Sequence, residues 1–189
     1  MEVIEKLQEA LDGVPDDYIV FIETSAEDSF EVSTLLVKYF SSKNDRGIIL
    51  SANRPYVNLI SVYEKNDIDV SKMFILDCLS KTQHADFPAD NVTFIENLSA
   101  LTDISLSIEE HINGTPGKKF IFVDSLTTML IHNKPYVLAR FIHNIFTKMR
   151  LKGVGGVVIS LQDNSNRDIK AEIAQLCDKV IKIGYTSSV

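Results

Sequence analysis

The chain has 189 residues, 45% of them hydrophobic and 24% charged, with a formal net charge of −7 at pH 7. That length suits one domain with a substantial buried core, and the acidic balance argues against non-specific binding to nucleic acid or to an anionic membrane. No apolar run reaches the ~18 residues of a membrane span, and four acids among the first 12 residues stand where a secretory signal would be basic, so the expectation is a cytoplasmic protein.

Taken in order, VIEKLQEAL (3–11) has helical spacing and stops at Gly13 and Pro15. YIVFI (18–22) reads as a buried strand, ETSAEDS as a polar turn, and FEVSTLLVKYF (30–40) as a helix with Asp28 or Ser29 as its N-cap. RGIILSA (46–52) is a strand, and Pro55 opens a helix through about Glu64. KMFILDC (72–78) and NVTFIE (91–96) are strands on either side of a polar segment with Pro88. SALTDISLSIEEHI (99–112) is helical, KKFIFVDS (118–125) a strand, 126–131 a short helix, and Pro135 opens a longer one through Leu151. GVGGVVISL (153–161), a helix over 168–177 and KVIKI (179–183) complete the pattern, and the tail after 184 reads as frayed.

The strands are apolar throughout rather than alternating, as strands covered on both faces are. The expected fold is therefore α/β: a three-layer α/β/α sandwich with a mostly parallel, doubly wound sheet in one domain spanning 1–189, residues 1–13 forming an N-terminal helix. Cys78 and Cys177 lie in no CxxC motif and read as buried reduced thiols, a disulfide or catalytic thiol being the lesser alternatives.

Open parallel sheets bind ligands beyond the carboxyl ends of their strands. A triphosphate-binding turn after the first strand would read GxxxxGK[ST], with glycines baring backbone amides, a lysine neutralising phosphates and a hydroxyl holding Mg²⁺. Here the turn is Glu23, Thr24, Ser25, Ala26, Glu27, Asp28, Ser29, Phe30, with neither glycine nor lysine and with three carboxylates. Each acid repels a triphosphate at close range, and the acids are expected to cap the following helix instead of a ligand. FIFVDS ends in Asp124-Ser125, which suits either a metal-holding aspartate or, more simply, a helix cap. Gln162, just past a strand, suits a phosphate sensor or a polar loop residue. His84, His111, His132 and His143 have no metal-ligand spacing, and Asp69, Asp77 and Asp86 read as solvated surface acids. No catalytic constellation, metal site or cofactor is expected.

The sequence from YIVFI through GIILSANRPYVNLISVYEKNDIDVSKMFILDC, FIENLSALTDIS, KKFIFVDSLTTML and FIHNIFTKMRLKGVGGVVISL to CDKVIKI resembles archaeal KaiC-like proteins of the RecA superfamily over about 18–183. The resemblance implies a RecA-like P-loop NTPase fold and assembly side by side or in rings. It does not carry hydrolysis across. The family's glycine-rich loop and Lys-Thr pair fall on Glu23 to Phe30, where every position differs, and its catalytic glutamate falls near Ser51–Arg54, where the chain reads SANR. Asp124, Ser125 and Gln162 remain as vestigial nucleotide-binding positions.

The leading expectation is a non-hydrolytic pseudo-ATPase that regulates or binds a protein partner, such as an intact KaiC-like ATPase, or that forms a homo-oligomer. The alternative is a nucleotide-binding protein whose phosphate site draws charge from Lys38, Lys43, Arg46 and Arg54 or from a partner subunit. Nucleic-acid binding through Lys148, Arg150 and Lys152 is disfavoured, because cations there complement a helix C-terminus. The N-terminal helix suits either its own core or a neighbour's sheet.

Overall fold

A computed structural model describes residues 2–44, 46–83 and 89–184. The elements run α1 Glu2–Leu11, β1 Ile19–Thr24, α2 Ser29–Lys43, β2 Arg46–Ser51, α3 Tyr56–Lys65, β3 Met73–Asp77, β4 Val92–Phe94, α4 Leu101–Gly114, β5 Lys119–Val123, α5 Leu126–His132, α6 Pro135–Lys152, β6 Gly155–Leu161, α7 Arg167–Gln175 and β7 Lys179–Ile183. The seven strands form one sheet in the order β4-β3-β2-β5-β6-β1-β7, and every pairing is parallel. The expected β-α alternation is therefore present, and the sheet is more uniformly parallel than anticipated. Strand β4 is shorter than the predicted 91–96: it pairs only with β3, at the sheet edge.

Strand order explains the layers. From β1 through β4 the chain travels toward one edge of the sheet, and from β4 onward it returns. Right-handed crossovers then require the outbound and returning helices to lie on opposite faces. One core packs α1, α2 and α3 residues, among them Leu7, Leu36, Phe40 and Tyr63, against one face. The other packs Ile108 of α4, Met129 of α5, Phe146 of α6 and Ile173 of α7 against the opposite face. Phe21, Phe120 and Phe122 are buried in the central strands, each contributing roughly 2–3 kcal/mol of hydrophobic stabilisation.

Local chemistry sets the boundaries. Pro135 occupies the first turn of α6, where its missing N–H costs nothing. That helix ends at Gly153, which at φ 62° sends its N–H back to Met149 and Arg150. Strand β6 opens on Gly155 because a Cβ there would sit 2.0 Å from the Asp16 carbonyl oxygen. Helix α1 buries Leu7 and Leu11 against α2 and β7, so it covers its own core. No helix among the described residues is long and apolar enough to cross a membrane. His84, Asp86, Pro88 and the tail beyond 184 lie outside the described residues.

Candidate functional site

Where neighbouring strands send their following helices to opposite faces, their carboxyl ends open a crevice. This happens between β1 and β6 and between β2 and β5. The β1–α2 connection is only four residues long, Ser25 to Asp28. None of the four has a positive φ, so the alternating right- and left-handed backbone that aims successive amides at an anion is not formed. The turn closes on itself instead. The Ser25 hydroxyl donates to Asp28 Oδ2 at 2.8 Å and accepts the Asp28 N–H at 3.0 Å. Gly184, just past β7 and at φ 83°, presses on this turn: a Cβ there would lie 2.4 Å from Asp28 Oδ2.

Two expectations for this turn are corrected. Asp28 stands at the N-cap position of α2, but its side chain makes no capping hydrogen bond, because Ser25 occupies it. Glu23 does not face the helix either; it pairs with Lys182 of β7 at 2.9 Å. Thr24, fully buried, has a hydroxyl with no hydrogen-bond partner, a desolvated group that weakens the fold here.

At the ends of β2 and β5 the geometry differs. Asp124 follows β5, and its Oδ1 accepts the Ala52 N–H at 2.8 Å while Oδ2 accepts the Asn53 N–H at 3.2 Å. The Ser51 hydroxyl, 3.4 Å from Oδ2, has one proton and lies closer to the Arg54 carbonyl at 2.6 Å. The carboxylate therefore clamps the SANR turn between β2 and α3. Burial pushes the Asp124 carboxyl up to about 6, against the opposing pull of the Ala52 and Asn53 amides, the Ser51 hydroxyl and the Arg54 charge. The capping reading of Asp124 is corrected in its object: Ser125, not Asp124, caps α5 by accepting the Thr128 N–H at 3.0 Å. Thr128 in turn donates to Asn53 Oδ1 at 2.6 Å, a second tie to the same turn.

Gln162 is placed elsewhere. Its Nε2 donates to the Ile183 carbonyl at 3.0 Å, and its backbone N–H to Thr24 O at 2.9 Å, so it ties together the ends of β1, β6 and β7. It lines an open groove with Asp163, Arg167 and Lys182, apart from the crevice that contains Asp124 and Ser125. The three positions carried over from the resemblance thus fall in two separate places. In the groove, buried Lys170 is neutralised by Asp163 at 2.8 Å.

Of the four cations proposed to supply charge, only Arg54 stands at the carboxyl ends of the strands. Arg46 opens β2 at its other end, donating to Ser71 O, while Lys38 donates to Asn66 O and Lys43 lies over the Tyr39 ring. The Lys148–Arg150–Lys152 cluster is not a free basic patch: Lys148 pairs with Glu109, and Arg150 with Asp178 at 2.9 Å. Asp77, read as a solvated acid, is fully buried. It accepts the Tyr56 N–H at the start of α3, the Leu79 and Ser80 N–H groups and the Ser80 hydroxyl, a complete set of partners for a buried charge. Asp69 holds Ser71 in an exposed turn. Both cysteines are free, and burial holds their thiols protonated, Cys177 up to about 12 and Cys78 higher. His111 stacks on Phe74, and no group of His, Cys, Asp or Glu that could hold a metal occurs among the described residues.

Between α2 and α3 a crevice of about 130 Å³ is lined by Phe30, Ser33, Arg54, Tyr63, Asp124 and Ser125, among others. The Arg54 guanidinium lies over the Phe30 ring, 4.1 Å from its centroid. Tyr63 is buried, and desolvation together with the nearby Asp124 charge holds its phenol far above the ordinary range. Sequence reasoning named Arg54 as a source of charge but missed its grouping with Phe30 and Tyr63. The only sequence signal for Tyr63 was its core-facing position on a helix that begins two residues after Arg54.

The seven-stranded parallel sheet sandwiched by helices is a RecA-like α/β fold. The KaiC-like protein PH0186 from Pyrococcus horikoshii OT3 superposes with a TM-score of 0.61 at 11% identity, over 96% of this chain and 79% of that one. A solved ATPase domain from a second protein gives 0.62 at 12% identity, over 98% and 75%. A further Pyrococcus horikoshii OT3 protein, PH0250, gives 0.60 at 11%, over 96% and 87%. No protein-family model matches the chain, and no curated protein matches it in sequence.

Proposed function

We propose that this chain is a non-hydrolytic member of the RecA-like fold that acts as a regulatory or protein-interaction module. The observation that carries the reading is the β1–α2 turn: four residues, with no glycine, no lysine and no positive φ, closed by its own Ser25–Asp28 hydrogen bonds and overlain by Gly184. Magnesium triphosphate fits these residues poorly. The turn offers neither a ring of bare amides nor a cation, and Asp124 spends both carboxylate oxygens on the β2–α3 turn. With catalysis set aside, a protein partner is the reading that remains, and an intact KaiC-like ATPase or a second copy of this chain are the two to test.

The experiment is steady-state phosphate release. The chain alone with ATP and Mg²⁺ is expected to give none above the uncatalysed background. Added to a KaiC-like ATPase, it is expected to change that enzyme's turnover. Turnover by the chain alone that is lost on substitution in residues 23–30 would overturn the proposal. The alternative, a nucleotide bound at a non-standard phosphate site, is favoured by one observation: Arg54 stands at the crevice with no ion pair among the described residues.

A further inference from the structure

We infer that the open edge of β7 is a self-pairing surface: two copies of this chain join their β7 strands antiparallel about a two-fold axis at Val180, and one sheet continues into the other. The inference rests on the protein-interaction part of the proposed function and is independent of whether the chain turns over ATP.

Strand β7 is the last of the sheet and pairs with β1 alone among the described residues. The Asp178 N–H donates to the Ile19 carbonyl at 2.8 Å. Backbone groups alternate in direction along a strand, so Val180 and Lys182 also address β1, while Lys179 and Ile181 point their N–H and C=O groups outward. Side chains alternate as well. Ile181 and Ile183 pack into the core that Leu7 and Leu11 of α1 help to close, and Asp178, Val180 and Lys182 fall on the opposite face. That face is open: Val180 is 45% exposed and stands with Lys182 in the groove beside Ala171 and Ala174 of α7.

The order of charges selects the occupant. Along this face β7 reads acid, valine, cation: Asp178, Val180, Lys182. Laid antiparallel on itself with Val180 at the centre, the strand sets Val180 against Val180 of the second copy. It also sets Lys182 against Asp178 of the second copy, once on each side of the axis. These are the non-hydrogen-bonded pairs of the new ladder, whose Cα atoms approach to about 4.5 Å and whose side chains touch. The outward groups of Lys179 meet those of Ile181 of the second copy, a hydrogen-bonded pair on each side of the axis. Lys182 already holds Glu23 at 2.9 Å, and Asp178 holds Arg150 at 2.9 Å, so pairing links four charges of alternating sign. Lysines on an edge strand repel a strand met at random, and a strand that brings an acid to Lys182 escapes that cost. Such an isologous contact closes at two copies. A contact centred on a five-residue strand is smaller than the ~800 Å² per partner of a standard interface, so a dissociation constant on the order of micromolar is expected.

The test is sedimentation velocity of the full chain over a concentration series. The expected result is a reversible monomer–dimer equilibrium. Val180→Lys, which sets like charges face to face at the axis, should weaken the dimer at least roughly tenfold. It should leave the thermal midpoint of the dilute monomer unchanged, because the site is nearly half exposed. Register is read by cross-linking in a Cys177→Ser background. Val180→Cys should give a disulfide-linked dimer on air oxidation, because the central pair lies within disulfide reach. Lys182→Cys, several residues from its own symmetry mate, should not. A chain that stays monomeric up to millimolar concentration, a dimer indifferent to Val180→Lys, or equal cross-linking at the two positions would overturn the inference. A monomer that still changes the turnover of a KaiC-like ATPase overturns it and leaves the proposed function standing. A dimer of this register with ATP turnover of its own keeps it and overturns the proposed function.

Discussion

The carboxyl ends of β1 and β5 are built in opposite ways. The β1–α2 turn is closed on itself: the backbone has no left-handed residue, and its hydroxyl and carboxylate satisfy each other. At the β5 end a carboxylate reaches across to another connection: both oxygens of Asp124 hold the β2–α3 turn in place. An acid at the end of a buried strand therefore has a structural task here, since removing it would orphan two amides.

The strongest way to break this comparison is to treat both regions alike. Asp124→Ala should lower stability by roughly 2–4 kcal/mol, or roughly 5–15 °C in thermal midpoint, because it leaves buried donors unpaired. Glu27→Ala, in the exposed part of the β1–α2 turn, should stay within about 0.5 kcal/mol. Equal effects would show that Asp124 is not a clamp. Next in size is Gly184→Ala, which demands φ 83° of a residue with a Cβ and drives that Cβ into Asp28. A loss of roughly 1–3 kcal/mol in denaturant melts is expected, and a neutral result would mean that the strand β7 exit does not cover the turn.

A pH series sharpens the contrast. Asp124 titrates near the ordinary 3.8 in the unfolded chain and near 6 in the fold. Between those values the folded state holds the extra proton, so this group's contribution makes stability fall as pH rises across that window. Asp124→Asn, which cannot titrate, should lack that component, and the measurement is the difference between the two stability curves from pH 4 to 7. Parallel curves would refute the shift. The smallest effect is at Thr24, whose buried hydroxyl has no partner: Thr24→Val should be neutral or stabilising by up to about 1 kcal/mol. Marked destabilisation would mean that the hydroxyl has a role the structure does not reveal.

The order of strands and helices was legible in the sequence because a doubly covered parallel sheet writes its strands as unbroken apolar runs such as IVFI, GIIL and KFIFV. The missing glycines and lysine after β1 were legible for the same reason that any local motif is: the chemistry lies in consecutive residues. What was not legible depends on contacts far apart in the chain. The partnership of Asp124 with the amides of Ala52 and Asn53 spans more than 70 residues, so Asp124 read more simply as the cap of α5 than as a metal ligand, and its role as a clamp on the β2–α3 turn went unseen. Asp77 passed for a surface acid because its burial depends on the neighbouring strands and on the Tyr56 N–H at the start of α3, 21 residues away. Glu23 counted as a repulsive charge in the turn until Lys182, on the neighbouring strand, was brought to its side.

Calorimetric titration of the full chain with ATP and Mg²⁺ tests the central claim most directly. No saturable heat in the micromolar range and no phosphate release are expected. A micromolar dissociation constant abolished by substitution in the β1–α2 turn, with measurable turnover, would contradict it.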